Sequence, residues 1–192
     1  METYLSIDIE ADGPIPGPYS MYSFAAVAYD DKGNEISSYY ATLDTLPDAI
    51  PGGDPDTMVW WSHQGYAFNE ARKDTRPPDV VLPEFIQWCR DLPGKVCVVG
   101  YPVTFDFMWL YWYAIKFVGP SVPFGFQGID IKTMAWMKLG GQYKHAAKRN
   151  FPRHWFRGAP AHTHHPLDDA RGQGINFFNI RDDTDTFPPK KA

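Results

Sequence analysis

Two carboxylates lie two residues apart near the start of the chain, Asp8 and Glu10, in a segment that reads LSIDIE. Apolar residues alternate with them, which is the pattern of a β-strand with one apolar face. Burying that face fixes the register and places both carboxylates on the opposite face. Neighbouring carboxylates repel each other, and packing does not require them there. A pair of divalent cations would turn this repulsion into attraction, so the strand predicts a two-metal nuclease site.

Two more acidic positions stand out further along the chain. Asp106 follows a buried apolar run at the start of a predicted helix, where an acidic residue also stabilises the helix N-terminus. The segment HHPLDDA, from His164 to Ala170, precedes the last predicted helix, and its proline suits a first helical turn. Each of these acids alone has a simple structural explanation. The residues themselves leave open which histidine and which aspartate of HHPLDDA would act.

Taken together, the three motifs resemble those of the DEDDh 3′–5′ exonucleases, the group that includes ribonuclease T, oligoribonuclease and the proofreading subunits of DNA polymerases. The motifs are Asp-x-Glu-x-Asp-Gly, Phe-Asp-Phe-x-x-Leu and His-x-x-x-x-Asp-Ala, and they occur in the family's order. The resemblance implies an α/β, ribonuclease H-like fold with a mixed five-stranded sheet, antiparallel in its first three strands and flanked by helices. Its spacing selects His164 over His165 and Asp169 over Asp168. The catalytic residues that it implies are Asp8, Glu10, Asp106, His164 and Asp169.

The resemblance also implies that the four carboxylates bind two Mg²⁺ or Mn²⁺ ions. Magnesium prefers carboxylate and water oxygens, and two ions can hold the attacking and leaving oxygens in line. Asp8 would bridge the ions, Glu10 and Asp169 would serve one, and Asp106 would act through water at the other. An imidazole pKa of about 6.5 suits His164 as the general base near neutral pH. The products would be nucleoside 5′-monophosphates released from a 3′ end.

A basic segment predicts how the substrate binds. Seven Lys and Arg residues and no acidic residue lie between Ile131 and Leu167, although the whole chain has a net charge of −5. Such a segment can be the footprint of a polyanion, and a solvated surface loop is the alternative. The long connection 143–162 could grip substrate or form a dimer. The predicted substrate-binding residues are Lys148, Arg149 and Arg153, with Phe107 and Met108 beside Asp106 stacking on a terminal base.

Other chemical features have competing explanations. Asp12 lies where the family often has threonine, and it is either part of an Asp-Gly turn or an additional acid near the metals. Tyr101-Pro102 replaces a frequent His-Asn pair before the second motif. A structural zinc site at His162, His164 and His165 is disfavoured because both cysteines lie far off in sequence. Trp60 and Trp61 are predicted core residues, as are most aromatics of the helix that follows Asp106, unless that helix forms a subunit interface.

The elements that position these residues follow from periodicity and turn residues. Three strands, 3–10, 21–29 and 35–43, form a predicted antiparallel meander, and a buried strand covers 95–100. Predicted helices cover 57–72, 80–90, 105–117, 131–138 and 167–180. We expect one catalytic domain over 1–180 and a polar tail over 181–192 that frays.

Composition bounds the remaining possibilities. The 192 residues are 44% hydrophobic, which suits one domain with a sizeable core. No apolar run approaches the roughly 20 residues that span a bilayer, and the N-terminus lacks a signal-peptide pattern. Cys89 and Cys97 provide no disulfide framework, so we expect a cytoplasmic protein that does not bind membranes.

The sequence therefore predicts a metal-dependent 3′–5′ exonuclease acting on single-stranded 3′ ends, with RNA favoured over DNA. A proofreading or repair DNA exonuclease is the alternative within the class. A catalytically silent nucleic-acid-binding module is the alternative from another class. A silent member tends to lose catalytic residues, and all five positions are filled here. A homodimer is a further expectation, because several stand-alone relatives pair.

Overall fold

A computed structural model describes residues 1–186 and contains a five-stranded sheet with the strand order β3-β2-β1-β4-β5. The strands are β1 (Glu2–Ala11), β2 (Met21–Tyr29), β3 (Glu35–Thr42), β4 (Lys95–Gly100) and β5 (Gly128–Asp130). β1 to β3 are antiparallel, whereas β4 runs parallel to β1 and β5 runs parallel to β4. The predicted α/β class, with a mixed sheet and an antiparallel meander, is confirmed.

Helices cover both faces of the sheet. They are α1 (Pro55–Ser62), α2 (Gly65–Ala71), α3 (Pro78–Asp91), α4 (Val103–Phe117), α5 (Ile131–Leu139) and α6 (Pro166–Arg181). Leu5, Ile7 and Ile9 of β1 belong to a core formed with α3 and α4. The opposite face of β1 lies under α6, where Tyr4 packs against Phe177 at 5.1 Å between ring centroids. Asp8 and Glu10 therefore lie between the sheet and α6.

Two predictions about the secondary structure are wrong. The helix expected over 57–72 is two helices, because the chain turns at His63 and Gln64 before Gly65. β5 is not among the strands predicted from periodicity, since only its pairing with Val98–Gly100 makes three residues a strand. Within the predicted tail, Asp183 is buried and accepts a hydrogen bond from Trp155 Nε1 at 2.6 Å, and fraying of the tail stays a prediction. The rest of that tail, 187–192, lies outside the described residues.

The basic segment is folded onto the domain. It forms three short 3₁₀ turns, Tyr143–His145, Lys148–Asn150 and Arg153–Phe156. Phe151 and Trp155 anchor these turns in the core beneath α6. The segment therefore holds its charged residues at defined positions beside α6.

Within residues 1–186, no helix is long and apolar enough to cross a membrane. Cys89 and Cys97 are both free thiols.

Candidate active site

Four carboxylates from three elements meet above the middle of the sheet. Asp8 and Glu10 lie on β1, and Asp169 lies in the first turn of α6. Each offers one carboxylate oxygen, and these three oxygens lie within 4.8 Å of one another. Asp106, in the first turn of α4, is buried and interacts electrostatically with Asp8. The parallel pairing of β4 with β1 explains this position, because α4 begins where β4 ends, beside the acidic end of β1.

Three of these carboxylates, Asp8, Glu10 and Asp106, have raised pKa values when no cation is bound. Burial raises the pKa of Asp8 well above its usual range, and the charges of Asp106, Glu10 and Asp169 add to the effect. Burial, followed by Asp169 and Asp106, does the same to the pKa of Glu10. Burial raises the pKa of Asp106 to about 8, although a hydrogen bond from the backbone of Ile9 opposes the shift. Asp8 nevertheless remains only half-buried, so one edge of the cluster faces solvent.

These residues fit divalent cations. Carboxylate oxygens that converge within a few ångström are the donors that Mg²⁺ and Mn²⁺ prefer. The positive charge would relieve the repulsion that raises the pKa values of Asp8 and Glu10. Beside the cluster, the buried Gln173 Oε1 has no hydrogen-bond partner among residues 1–186, so a polar acceptor is also available. Of the four predicted ligands, Asp8, Glu10 and Asp169 form the converging group, and Asp106 is not part of that group of three.

The three neighbouring histidines have different surroundings. His164 donates its backbone N–H to Asp169 Oδ2 at 3.1 Å, and its ring lies 5.1 Å from the ring of Trp60. Burial and the nearby His162 lower the pKa of His164, while Asp169 opposes the shift. His165 instead accepts a hydrogen bond from the N–H of Leu167 at 3.3 Å, so it caps α6. His165 does not join His162 and His164, because its ring packs on Tyr40.

His162 contacts Asp169 of the candidate active site, although it was not among the predicted catalytic residues. Its Nδ1 lies 2.8 Å from Asp169 Oδ1, and its ring centroid lies 4.3 Å from that of His164. His162, His164 and Asp169 thus form a second group of converging ligand atoms that shares Asp169 with the carboxylate cluster. The only signal in the sequence was the spacing of two residues between the two histidines.

Trp60 also differs from its prediction. Trp61 is a core residue, as expected, and donates its Nε1–H to the carbonyl of Ala11. Trp60 is 37% exposed and lies against His164 instead of in the core. The order along α1 did not reveal which tryptophan points inward, because neighbouring helical residues face different directions.

The predicted substrate-binding residues separate into two groups. Lys148 is half-buried, its Nζ lies 4.7 Å from the ring centroid of Tyr101, and its charge lowers the pKa of Asp8 and of Asp106. Arg149 and Arg153 are exposed on the same segment. The aromatic candidate Phe107 packs between the rings of Tyr111 and Phe124, and Met108 packs against the same core. Base stacking by these two residues stays a prediction.

The two departures from the family motifs have structural roles. Asp12 Oδ1 accepts a hydrogen bond from the backbone of Ser20 at 2.5 Å, so it closes the loop between β1 and β2. This contact gives Asp12 a structural role in that loop. The hydroxyl of Tyr101 accepts a hydrogen bond from the backbone N–H of Lys148 at 3.1 Å, and the Tyr101–Pro102 peptide is cis. Tyr101 therefore fastens the basic segment beside the carboxylates.

A cavity of about 410 Å³ opens between the basic segment and α6. Its wall includes Lys148, His162, Asp169 and Gln173. The cavity therefore connects Lys148 of the basic segment with Asp169 of the carboxylate cluster.

The chain is similar to known 3′–5′ exonucleases. A family model described as a 3′–5′ exoribonuclease Rv2179c-like domain matches residues 3–178. The Escherichia coli protein Cap18, named a 3′–5′ DNA exonuclease, is 29% identical over 136 residues, which cover 69% of this chain and 67% of Cap18.

Two solved structures share the fold. E. coli exonuclease I in complex with a dA16 oligonucleotide aligns with a TM-score of 0.67 and 17% identity, covering 96% of this chain and 41% of that one. The S. pombe protein Pop2p, in a form with bound Mg²⁺ and Mn²⁺, aligns with a TM-score of 0.68 and 14% identity, covering 94% of this chain and 83% of that one. The chain thus spans less than half of the length of exonuclease I.

Proposed function

The chain belongs to the family of Rv2179c-like 3′–5′ exoribonuclease domains, and from this membership we propose that it is a metal-dependent 3′–5′ exonuclease. It hydrolyses phosphodiester bonds from the 3′ end of single-stranded nucleic acid and releases nucleoside 5′-monophosphates. The observation that carries the proposal is the convergence of one oxygen each from Asp8, Glu10 and Asp169 within 4.8 Å. Asp106, buried next to Asp8, completes a four-carboxylate set.

Asp8, Glu10, Asp106 and Asp169 hold two Mg²⁺ or Mn²⁺ ions in this proposal. When bound, the ions activate the attacking water and stabilise the charge that develops on the leaving 3′ oxygen. His164 takes the proton from the water. Its lowered pKa keeps the imidazole neutral near pH 7, which a general base requires. Its ring lies at the edge of the site, between Trp60 and His162, within the loop that leads into α6.

The basic segment binds the substrate backbone. Lys148 faces the carboxylates, so it is placed to contact a phosphate near the scissile bond. Arg149 and Arg153 lie exposed on the following turns and extend the positive surface away from the site. Contacts of this kind bind phosphates without reading base sequence.

RNA is the proposed substrate because the family to which the chain belongs is described as an exoribonuclease domain. A DNA exonuclease is the second candidate, and the similarity to Cap18 favours it. The catalytically silent module is less well supported, since all five residues that chemistry would need are present at one site. Pairing of two copies stays a prediction that the mass in solution would test.

The test is a side-by-side digestion of matched RNA and DNA oligonucleotides, labelled at the 5′ end, with Mg²⁺ and with Mn²⁺. We expect stepwise shortening from the 3′ end, faster on RNA, and nucleoside 5′-monophosphates as the products. Asp8→Ala serves as the matched inactive variant. Equal trimming by the wild type and Asp8→Ala would refute the enzyme proposal, and faster trimming of DNA would favour the second candidate.

A further inference from the structure

Gln173 makes a direct contact with the carboxylate at the centre of the site. Its Nε2 donates a hydrogen bond to Asp8 Oδ1 at 2.6 Å, across 165 residues of sequence. Gln173 is only 3% exposed. It lies four residues after Asp169 on α6, so the helix presents both side chains on one face, towards β1. The contact was not part of any motif by which the site was predicted.

The other end of the same amide is unsatisfied. Gln173 Oε1 is buried and has no hydrogen-bond partner within the described part of the chain. A buried amide oxygen of this kind is uncommon in folded proteins and calls for an explanation, such as an ion or ordered water. Gln173 also lines the cavity of about 410 Å³ that reaches Asp169 and Lys148. The amide therefore has its donor on Asp8 and its acceptor free beside the site.

We propose that Gln173 is a positioning residue for the cation site, an inference that rests on the proposed function. The N–H of Gln173 holds one oxygen of Asp8, which orients the carboxylate and leaves its second oxygen for a divalent cation. The free Oε1 accepts a hydrogen bond from a water of the hydrated ion. Ligating carboxylates are commonly held by such outer hydrogen bonds, and Mg²⁺ keeps several of its waters in proteins.

A neighbouring amide provides a matched control. Asn176 is also buried, lies one turn further along α6 and lines the same cavity. In the orientation that satisfies its side chain, its amide nitrogen donates to the carbonyls of Gly172 and Trp155. Asn176 is thus bonded to the backbone of α6 and of the basic segment, whereas Gln173 is bonded to a carboxylate.

The experiment compares Gln173→Met with Asn176→Leu, because both changes keep the side-chain size and remove the amide. Mn²⁺ binding is measured without nucleic acid, from the electron paramagnetic resonance signal of free Mn²⁺. Loss of an outer hydrogen bond to a metal ligand typically weakens metal affinity or activity by about 10- to 100-fold. We expect that loss of Mn²⁺ affinity in Gln173→Met, together with a lower kcat and an unchanged KM for an oligonucleotide. Asn176→Leu should bind Mn²⁺ within about twofold of the wild type, although its melting temperature falls.

Wild-type Mn²⁺ affinity in Gln173→Met would overturn the inference while leaving the proposed function intact. No Mn²⁺ binding by the wild type would overturn both. If Gln173→Met does not fold, Gln173→Asn replaces it, since the shorter side chain keeps an amide but cannot span the distance to Asp8. It should show the same loss, and wild-type affinity in this variant would equally overturn the inference.

Discussion

Replacing Asp106 with asparagine should stabilise the protein when no metal is bound. Asp106 is 4% exposed, and burial raises its pKa to about 8. In the unfolded chain an aspartate has a pKa of about 3.9. At pH 7 the folded protein therefore binds a proton at Asp106 that the unfolded chain has already lost. Asparagine has the same shape, needs no proton and can still accept the hydrogen bond from the backbone of Ile9.

The size of the effect follows from the pKa difference. Each pKa unit is worth about 1.36 kcal/mol, and about three units separate pH 7 from the unfolded pKa, so the cost reaches about 4 kcal/mol. Asp106 and Asp8 titrate as an interacting pair, so only part of this cost belongs to Asp106. We therefore expect Asp106→Asn to raise the free energy of unfolding by about 2–4 kcal/mol. For a domain of this size, that corresponds to a rise of about 5–15 °C in melting temperature.

The pH dependence has a defined sign. A carboxyl group whose folded pKa is raised binds more protons in the folded state than in the unfolded state. Wild-type stability should therefore fall as the pH rises from about 4 to about 8. The asparagine variant lacks this contribution, so its advantage should grow with pH over the same window. Thermal unfolding followed by circular dichroism, in EDTA at several pH values from 5 to 8, measures the difference.

A surface aspartate supplies the control. Asp48 is exposed, and Asp48→Asn should change stability by no more than about 0.5 kcal/mol. Added Mn²⁺ should stabilise the wild type and the Asp48 variant more than Asp106→Asn, because the variant has lost a carboxylate. An Asp106→Asn protein that is no more stable than the wild type in EDTA at pH 8 would refute the argument that burial and repulsion destabilise this cluster.

Three other predictions concern the histidines, the basic segment and the C-terminal end of α6. His164→Asn should lower turnover by about 10²-fold or more, whereas His165→Asn should leave turnover unchanged. Asparagine is chosen because it tolerates the left-handed backbone of position 164, at φ 57°. Neutralising Lys148, Arg149 and Arg153 together should weaken the binding of single-stranded oligonucleotides. It should also reduce the slope of log affinity against log salt by about 2. Asp183→Asn should cost about 1.5–3 kcal/mol at pH 7, because its carboxylate accepts the buried Trp155 hydrogen bond, and the difference should shrink below about pH 4.

The measurements for these predictions are steady-state rates, salt titrations of binding and denaturant unfolding. A larger loss of turnover in His165→Asn than in His164→Asn would show that the third motif is assigned one residue out of register. An unchanged salt slope would show that the basic segment is a solvated surface loop that does not bind the substrate. For Asp183, burial acts to raise the pKa, but hydrogen bonds from Thr186, Trp155 and Asp185 outweigh it and hold the pKa low. Stability that depends on a lowered carboxyl pKa is present at neutral pH and is lost in acid.

Much of the fold, and the acidic residues of the candidate site, could be predicted from the sequence alone. Alternation in β1 was enough to place Asp8 and Glu10 on one face, because the side chains of a strand point to opposite faces by geometry. The strands at 21–29 and 95–100 also have the predicted bounds. The order of three short motifs identified the family, and the matched family model confirms that resemblance.

Local patterns could not reveal features that depend on distant parts of the chain. β5 is a strand only because three of its residues pair with β4. Asp183 is buried only because Trp155 and His154 of the basic segment reach it. The helix expected over 57–72 ends early because the chain turns at His63, which the apolar periodicity of α1 and α2 did not signal.

The tertiary structure decided how the site is completed. Asp106 reaches Asp8 because β4 pairs in parallel with β1, and no spacing in the sequence encodes that pairing. The directions of the three histidines depend on what their loop packs against: His162 turns to Asp169, His164 to Trp60, and His165 to Tyr40. Residue types and their order along the chain can be read directly from the sequence. The side chains that surround a carboxylate come from elements far apart in the chain, so only packing brings them together.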